Sequence, residues 1–304
     1  MELRKKVKSW MNTLPYIKGL YQEKMDFDKN ARFPPGHYYS TIVSVEDIKQ
    51  REDIIWSKEK VDGIQGVDLR AAEQIKLLKA LETYYLDIPF TKEQNEKNRY
   101  YYENDYYHYT DAIILYSLIR HYQPKQIIEV GSGFSSAVML DTNEQFLNNS
   151  VQLTFIEPYP ERLGYLLNEK DQLSTTLIEK NVQEVDLETF DKLNAGDFLF
   201  IDSTHVVKTG SDVNFILFEI LPRLKSGVIV HFHDIFYPFE YPKDWVFKGW
   251  NWNETYTMRS FLMYNDRFEI RLFSDYLHRH HPDVYQNMPM AYEHHGSNLW
   301  LVKK

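Results

Sequence analysis

The sequence contains no cysteine, which excludes disulfides, zinc–thiolate sites and thiol nucleophiles. It has no apolar run long enough to span a bilayer. No block of lysine and arginine interrupts its second half, and the formal net charge is -9, so no overall field attracts nucleic acid. We therefore expect a protein with neither a nucleic-acid partner nor a transmembrane segment.

The chain begins with a basic segment, and residues 1–25 are predicted to form an amphipathic helix that Pro15 ends. Its apolar residues recur at helical spacing: Leu3, Val7, Trp10, Met11 and Leu14. Two interpretations are open, docking on a membrane surface or packing on the main domain or a partner chain, and the short stripe favours packing. No apolar stretch with a small-residue cleavage site follows, so we expect no secretion signal and a cytoplasmic location.

Hydrophobic residues make up 43% of the 304 residues, which is ample for a large core. From residue 126 onward, short apolar segments alternate with helical patterns, and this alternation predicts a parallel sheet covered on both faces. The predicted strands are Gln126–Val130, Gln152–Glu157, Thr175–Ile178, Asp197–Asp202, Gly227–Asp234, Phe268–Phe273 and Ser297–Val302. Helices are predicted between them, including Glu184–Leu193 and Asp212–Leu224.

Charged residues follow these predicted strands at the point where each strand ends. Ligands of open α/β sheets bind beyond the carboxyl ends of the strands, so these side chains are expected to gather at one site. The set comprises four acids, Glu129, Glu157, Asp202 and Asp234, and three histidines, His205, His231 and His233.

A Gly-Ser-Gly turn, Gly131 to Gly133, follows the first of these strands and precedes a predicted helix. Glycine there allows positive φ and lets a ligand approach the backbone. Ser136 occupies the third glycine position of the dinucleotide fingerprint, so that fingerprint is incomplete, and no Walker lysine follows. Glu157 could accept hydrogen bonds from a ribose diol, which leaves a nicotinamide cofactor as one alternative.

Taken together, Glu129-Val130-Gly131-Ser132-Gly133, Glu157 and Asp202 resemble the signature of class I S-adenosylmethionine-dependent methyltransferases. The segments Phe200–His205 and Ile220–Asp234 are similar to a bacterial small-molecule subgroup of that fold. The resemblance covers roughly residues 110–304. It implies a Rossmann-like α/β fold, with a seven-stranded, mostly parallel sheet, helices on both faces and the last strand antiparallel. Residues 1–109 would then form an N-terminal helical extension with a lid segment, and 110–304 the methyltransferase domain.

The resemblance also implies how S-adenosylmethionine (SAM) would bind. The glycine turn would wrap the methionine part, the acid after the second strand would bind the ribose hydroxyls, and the loop after the third strand would line the adenine. The residues carried over on this basis are Glu129, Gly131, Ser132, Gly133, Ser135, Glu157, Val182, Gln183 and Asp202.

Three hypotheses describe the catalytic step. In the first, Asp202 and Asp234 resemble the two acids that hold magnesium in catechol-type O-methyltransferases, although Ile235 stands where a third oxygen ligand is expected. In the second, no metal is involved and His205 or His233 acts as general base near Asp202. In the third, the histidines only hydrogen-bond the acids and shape the pocket.

Two aromatic loops are candidates for binding the methyl acceptor, although each could instead serve only packing. Residues 32–40 form a proline-rich turn that is a candidate lid, and residues 236–256 join the strand that ends at Asp234 to a helix. The candidate substrate residues are His37, Tyr38, Tyr237, Trp252, Glu254 and Arg259. We expect O-methylation of a small molecule or a sugar or glycan precursor, with a homo-oligomer left open. The alternatives are a nicotinamide-dependent oxidoreductase and a non-catalytic cofactor-binding module.

Overall fold

A computed structural model of the chain describes residues 6, 10 and 14–304. It divides into two compact units, one made of Met1–Ile55 and Asp244–Asn251, the other of Trp56–Lys243 and Trp252–Lys304. The division between an extension and a methyltransferase domain at residue 109 stays a prediction, and residues 56–109 belong to the second compact unit. None of the helices in the described ranges combines the length and hydrophobicity needed to cross a bilayer.

The first unit is helical in the part of the chain that is described. Its helices are α1 (Pro15–Asn30), α2 (Val45–Gln50) and α3 (Glu52–Ile55). A helix begins at Pro15, because proline at the first helical position lacks only an N–H that would be unpaired in any case. Most of the predicted basic helix, including Leu3, Val7 and Met11, lies outside the described residues.

The second unit is built around a sheet, which has seven strands among the described residues. The strands are β1 (Gln126–Val130), β2 (Gln152–Ile156), β3 (Thr176–Ile178), β4 (Phe198–Ile201), β5 (Ile229–Phe232), β6 (Phe268–Phe273) and β7 (Leu299–Lys303). Their order is β3-β2-β1-β4-β5-β7-β6. Strands β1 to β5 pair in parallel, and β7 is antiparallel to both of its neighbours. The predicted mostly parallel sheet with an antiparallel last strand is confirmed.

The strand order reverses between β1 and β4, and a crevice forms at such a reversal in an open α/β sheet. From β1 the chain proceeds to β2 and β3 on one side, then returns to place β4 and β5 on the other. The middle strands are apolar along their length and buried, with every residue of β4 and β5 inside the core. The carboxyl ends of β1, β2, β4 and β5 therefore share one edge.

Helices flank this sheet in the second unit. They are α4 (Ala71–Leu81), α5 (Tyr109–Tyr122), α6 (Phe134–Phe146), α7 (Glu161–Leu166), α8 (Glu169–Ser174), α9 (Asp212–Phe215), α11 (Glu254–Leu262), α12 (Ser274–His280) and α13 (Pro289–Glu293). Helix α10 (Lys243–Phe247) lies where the chain passes from the second unit back to the first. Shorter 3₁₀ turns span Ser57–Lys60, Glu82–Asp87, Val182–Glu184, Leu187–Lys192, Leu221–Arg223 and Pro282–Tyr285.

Two predicted helices differ from what forms. Glu184–Leu193 contains 3₁₀ turns only, because Thr189, Phe190 and Asp191 are weak helix formers in so short a segment. Asp212–Leu224 begins as α9, continues as a π-helix over Ile216–Ile220 and ends in a 3₁₀ turn. Pro222 has no N–H to continue the helical hydrogen-bond pattern, which explains why the helix ends here.

The aromatic segment before α5 belongs to the core. Tyr100, Tyr102 and Tyr107 are buried, and Tyr100 packs edge-on against Phe90. Arg99 connects this aromatic segment to helices α6 and α8. Its guanidinium bonds Asp141 of α6 and Asp171 of α8 at 2.7 Å each, and only 11% of the Arg99 side chain is exposed.

Replacing Arg99 by alanine should lower the free energy of unfolding by about 3–5 kcal/mol, because Asp141 and Asp171 would stay buried without a cation. Urea denaturation measures the change. The matched control is Arg223→Ala, which removes a surface ion pair with Asp191 and should have a much smaller effect. Equal effects of the two substitutions would contradict a buried role for Arg99.

The glycine turn after β1 (residues 131–133) packs directly on the end of β4. Gly131 has φ +82°, and a Cβ built on it would lie 1.8 Å from the carbonyl oxygen of Asp202. The Asp202 N–H donates to the Val130 carbonyl at 2.9 Å. Both the backbone angle and the missing side chain are therefore required at residue 131.

Gly131→Ala should destabilise the fold by at least about 2 kcal/mol, since the new methyl group meets backbone rather than a movable side chain. Gly164→Ala is the matched control. Gly164 lies in α7 with nothing within 4 Å of the added Cβ, so alanine there should stabilise by up to about 1 kcal/mol. Thermal unfolding of both variants measures these changes. An unchanged unfolding midpoint for Gly131→Ala would refute the steric argument.

Candidate active site

Glu129, the penultimate residue of β1, holds the glycine turn in place through hydrogen bonds with the serines that follow it. Its carboxylate is fully buried and accepts hydrogen bonds from the hydroxyls of Ser135, at 2.6 Å, and Ser136. Ser136 also accepts the Gly133 N–H at 3.0 Å. Burial raises the pKa of Glu129 to about 8, although the serine hydroxyls oppose the shift. Glu129 and Ser135 thus hold the glycine turn (residues 131–133) against the first helical turn of α6.

Glu157 follows β2 and reaches the same turn. One of its oxygens accepts the Ser132 N–H at 3.0 Å, and the other accepts the Tyr159 N–H at 2.9 Å. These bonds fix the carboxylate beside the turn, half-buried at the edge of the sheet. Each oxygen keeps a further lone pair for a hydroxyl of a ligand.

The loop after β3 lies farther along the same edge. Val182 is buried, and the Gln183 amide donates to the Gly210 carbonyl at 2.9 Å. This bond ties the loop after β3 to the loop after β4. The carry-over of Val182 and Gln183 as cofactor residues stays a prediction.

Two histidines and two aspartates lie together beyond β4 and β5. His205 Nε2 is 3.4 Å from Asp202 Oδ1 and 3.7 Å from Asp234 Oδ2. His233 Nδ1 is 3.5 Å from Asp202 Oδ1 and 3.4 Å from Asp234 Oδ1. Each imidazole therefore faces both carboxylates, and the sheet brings together four of the seven residues that the strand-end rule predicted.

A second carboxylate lies behind each histidine. Glu254, the first residue of α11, places Oε2 2.9 Å from His205 Nδ1. Asp111, in the first turn of α5, places Oδ2 3.6 Å from His233 Nε2. Both acids are buried. We call the six residues the carboxylate–histidine cluster: Asp111, Asp202, His205, His233, Asp234 and Glu254.

The loop before β7 completes this cluster. The Ser297 hydroxyl donates to Asp234 Oδ1 at 2.9 Å and lies 3.4 Å from His233 Nε2. Its N–H donates to Asp111 Oδ1 at 2.9 Å, and the Asn298 amide donates to the same oxygen at 2.6 Å. The sequence analysis missed Asp111 and Ser297, since neither follows a parallel strand and neither stands in a local motif with the other residues.

Mutual attraction favours the charged forms of four members of the cluster. Burial opposes protonation of His205, but its interactions with Asp202 and Glu254 outweigh burial and raise its pKa to about 10. Burial likewise opposes protonation of His233, but the charges of Asp234 and Asp202 raise its pKa well above the usual value. The histidines in turn hold the pKa values of Asp202 and Asp234 below the usual range, against the effect of burial.

The backbone is strained at two of these residues. His205 has φ 59° and Asp234 has φ 55°, both in the left-handed region that non-glycine residues seldom occupy. Such angles are retained where the surrounding structure determines them, and they concentrate at functional sites. Each follows one of the two central strands, so the strain lies at the edge where the cluster forms.

His231, the third predicted strand-end histidine, belongs to the core instead. Its ring stacks on Phe200 at 3.9 Å between centroids and lies 4.5 Å from Trp300. It is fully buried, and burial lowers its pKa well below the usual value. A neutral ring of this kind packs as an aromatic side chain, which separates its role from that of His233.

The predicted substrate residues fall in different surroundings. The Trp252 ring lies 4.5 Å from the His205 ring, at the site. Tyr237 is buried, and its hydroxyl bonds the backbone of Val61 and Gly63, so its role is packing rather than the proposed contact with substrate. Arg259 lies partly exposed on α11. His37 and Tyr38 belong to the first unit, and their role stays a prediction.

The donor set does not fit a metal centre in the described part of the chain. No group of three or more histidine, aspartate or glutamate side chains there is arranged to hold an ion. The imidazole nitrogens that face Asp202 and Asp234 are instead engaged with those carboxylates. A metal role for Asp202 and Asp234 stays a prediction.

Comparisons with known proteins agree with this geometry. A family model described as a methyltransferase domain matches residues 128–235, which run from β1 to the residue after Asp234. Over 176 residues the chain is 37% identical to an uncharacterised protein of Archaeoglobus fulgidus, covering 56% of this chain and 78% of that protein.

Two solved structures are also similar. A methyltransferase of Podospora anserina with bound S-adenosylhomocysteine (SAH) is 14% identical, over 85% of this chain and 96% of that chain, with a TM-score of 0.41. A Staphylococcus aureus protein assigned as a caffeoyl-CoA O-methyltransferase is 16% identical, over 76% of this chain and 92% of that chain, with a TM-score of 0.42.

The matched residues contain the glycine turn, the end of β1 and strands β2 to β5, and the sheet has the seven strands and the antiparallel last strand that the sequence signature implied. The chain belongs to the class I S-adenosylmethionine-dependent methyltransferases.

Proposed function

We propose that the protein transfers the methyl group of SAM to an oxygen atom of a small molecule, either a free metabolite or a sugar or glycan precursor. One observation carries the choice of oxygen. His205 and His233 both face Asp202 and Asp234 at the carboxyl ends of β4 and β5. A hydroxyl acceptor has to lose a proton during transfer, and a buried set of imidazoles and carboxylates suits that task.

Two features at this edge of the sheet support this cofactor. Glu157 is held beside the turn with lone pairs to spare for a ribose diol. The Ser203 hydroxyl, next to Asp202, is buried without a hydrogen-bond partner, as a group awaiting a ligand would be. We assign the turn to the methionine part and Glu157 to the ribose.

When bound, SAM supplies a methyl group activated by its sulfonium charge. An acceptor oxygen held beside the cluster would take this methyl group, and SAH would leave with the electron pair of the broken carbon–sulfur bond. The hydroxyl proton goes to the cluster. A positive charge beside His205 and His233 favours the neutral form of an imidazole, which is the form that can accept that proton.

The acceptor would lie on the open side of the cluster, where the Trp252 ring is next to His205. An indole face stacks on the apolar face of a sugar or on an aromatic ring. Glu254 is turned towards His205 and is buried, so we propose that it positions His205 rather than contacting the acceptor.

Glu157→Ala should weaken SAH binding by roughly 10- to 100-fold, the effect of losing hydrogen bonds to a charged acceptor. Isothermal titration with SAH measures it. The control is Glu161→Ala, which removes an exposed carboxylate at the start of α7. Unchanged affinity in Glu157→Ala would remove this residue from the cofactor site.

His205→Asn should reduce methyl transfer by about 10²- to 10⁴-fold, because the principal proton acceptor is lost while the cofactor turn is intact. The assay follows label from methyl-labelled SAM into a panel of phenols, sugars and amines. His121→Asn, an exposed histidine near the end of α5, is the matched control.

The same assay separates the alternatives. Loss of SAH affinity together with activity in His205→Asn would indicate a structural histidine. Transfer to amines in preference to hydroxyls would contradict O-methylation. Activity that EDTA abolishes and magnesium restores would replace the metal-free mechanism with the metal-assisted one.

A further inference from the structure

We propose that Arg162 binds the carboxylate at the amino-acid end of the cofactor through the free edge of its guanidinium, which lies beside the glycine turn. The inference rests on the proposed cofactor site and adds to it a group that recognises the methionine part. Arg162 is the second residue of α7, the helix that follows Glu157 and β2, and its side chain is exposed.

Gly133 leaves room for the Arg162 side chain at the glycine turn. A Cβ built on Gly133 would lie 3.3 Å from Arg162 Cδ and 3.9 Å from Arg162 Nη1. A side chain at residue 133 would therefore crowd the arginine. The aliphatic part of Arg162 packs on the turn, and this contact places the guanidinium beside the backbone that we assign to the methionine part.

Tyr106 holds the guanidinium from one face. Arg162 Cζ lies 3.7 Å from the centre of the Tyr106 ring. That ring stacks in turn on Phe134, the first residue of α6, with 5.9 Å between the ring centroids and 16° between the ring planes. The Tyr106 N–H donates to the side chain of Asn104 at 2.9 Å, which fixes the loop that carries the ring. Because a cation is attracted to the face of an aromatic ring, this stack orients Arg162.

The stack occupies the face of the guanidinium and leaves its edge free. The five N–H donors of an arginine lie in the plane of the guanidinium and point outwards from that edge. Among the described residues Arg162 forms no ion pair and donates no hydrogen bond, whereas Arg99 and Arg279 each pair with a carboxylate at 2.7 Å. An oriented guanidinium with an unused edge is suited to a carboxylate, to which it can donate two parallel hydrogen bonds.

The amino-acid end of the cofactor requires a partner of this kind, because it carries a carboxylate as well as an ammonium group. The acids that end the strands around the turn, Glu129, Glu157 and Asp202, suit an ammonium or a hydroxyl but repel a carboxylate. The turn and α6, residues 131–146, contain no lysine or arginine. Arg162, the first basic residue after β2, therefore brings a positive charge that these segments do not provide.

Isothermal titration of the full-length protein with two ligands tests the proposal. One ligand is SAH, and the other is decarboxylated SAH, which keeps the adenosine, the sulfur and the amine but lacks the carboxylate. In Arg162→Gln the affinity for SAH should fall about 10- to 100-fold, because hydrogen bonds between charged groups are lost. The affinity of the same variant for decarboxylated SAH should change less than about twofold.

Two further variants separate the charge of Arg162 from its packing. Arg162→Lys keeps the charge but loses the planar edge, so it should retain more SAH affinity than Arg162→Gln. Arg267→Gln is the matched control, because the Arg267 side chain is 76% exposed and lies 3.8 Å from its partner Asp266, and it should leave both affinities unchanged. The order of the two Arg162 variants is measured with SAH alone, so it decides the question even if decarboxylated SAH binds too weakly to titrate.

Unchanged SAH affinity in Arg162→Gln would overturn the inference. An equal loss of affinity for both ligands would also overturn it, because Arg162 would then only shape the turn. Failure of both ligands to bind the unaltered protein would overturn the proposed function instead.

Discussion

The close approach of two backbone segments, at Gly131 and Asp202, underlies the whole site. A side chain at residue 131 would collide with the Asp202 carbonyl, so the end of β1 and the end of β4 meet only through glycine. This contact sets the turn, and with it Glu157, beside the residues that follow β4. In the function proposed here, a donor held by the turn would lie next to the groups proposed to receive a proton.

The carboxylate–histidine cluster carries a large desolvation cost, because its ionisable side chains are buried within a few ångströms of one another. Ionised acids are rarely buried unless paired, and here the imidazoles pair with them on two sides. The left-handed backbone at His205 and Asp234 adds strain to that cost. The stability that compensates for both comes from the apolar interior of β4 and β5 and from buried pairs such as Arg99 with Asp141.

Sequence reasoning predicted the parts that follow from local periodicity and from strand topology. The strands, the turn and the meeting of Asp202, His205, His233 and Asp234 all depend on rules that act within short segments of chain or at the carboxyl edge of a parallel sheet. The family assignment leaves the nicotinamide oxidoreductase hypothesis without support. These rules could not predict the roles of Asp111 and Ser297, because their contacts with His233 join residues far apart in the chain. His231 was misjudged because it falls in the same predicted strand as His233, whereas the structure packs it against Phe200 and Trp300.

Strand β7 has a consequence for how the protein is made. It pairs between β5 and β6, and the loop before it brings Ser297 to Asp234, His233 and Asp111. During synthesis the four acids and two histidines emerge from the ribosome long before the serine and the strand that secure them. Until residue 303 is free to pair, the nascent chain holds an unfinished sheet with an exposed edge at β5 and an unanchored group of charges beside it. Folding of this region therefore requires the pairing of β7, and its dependence on contacts distant in sequence makes it slow.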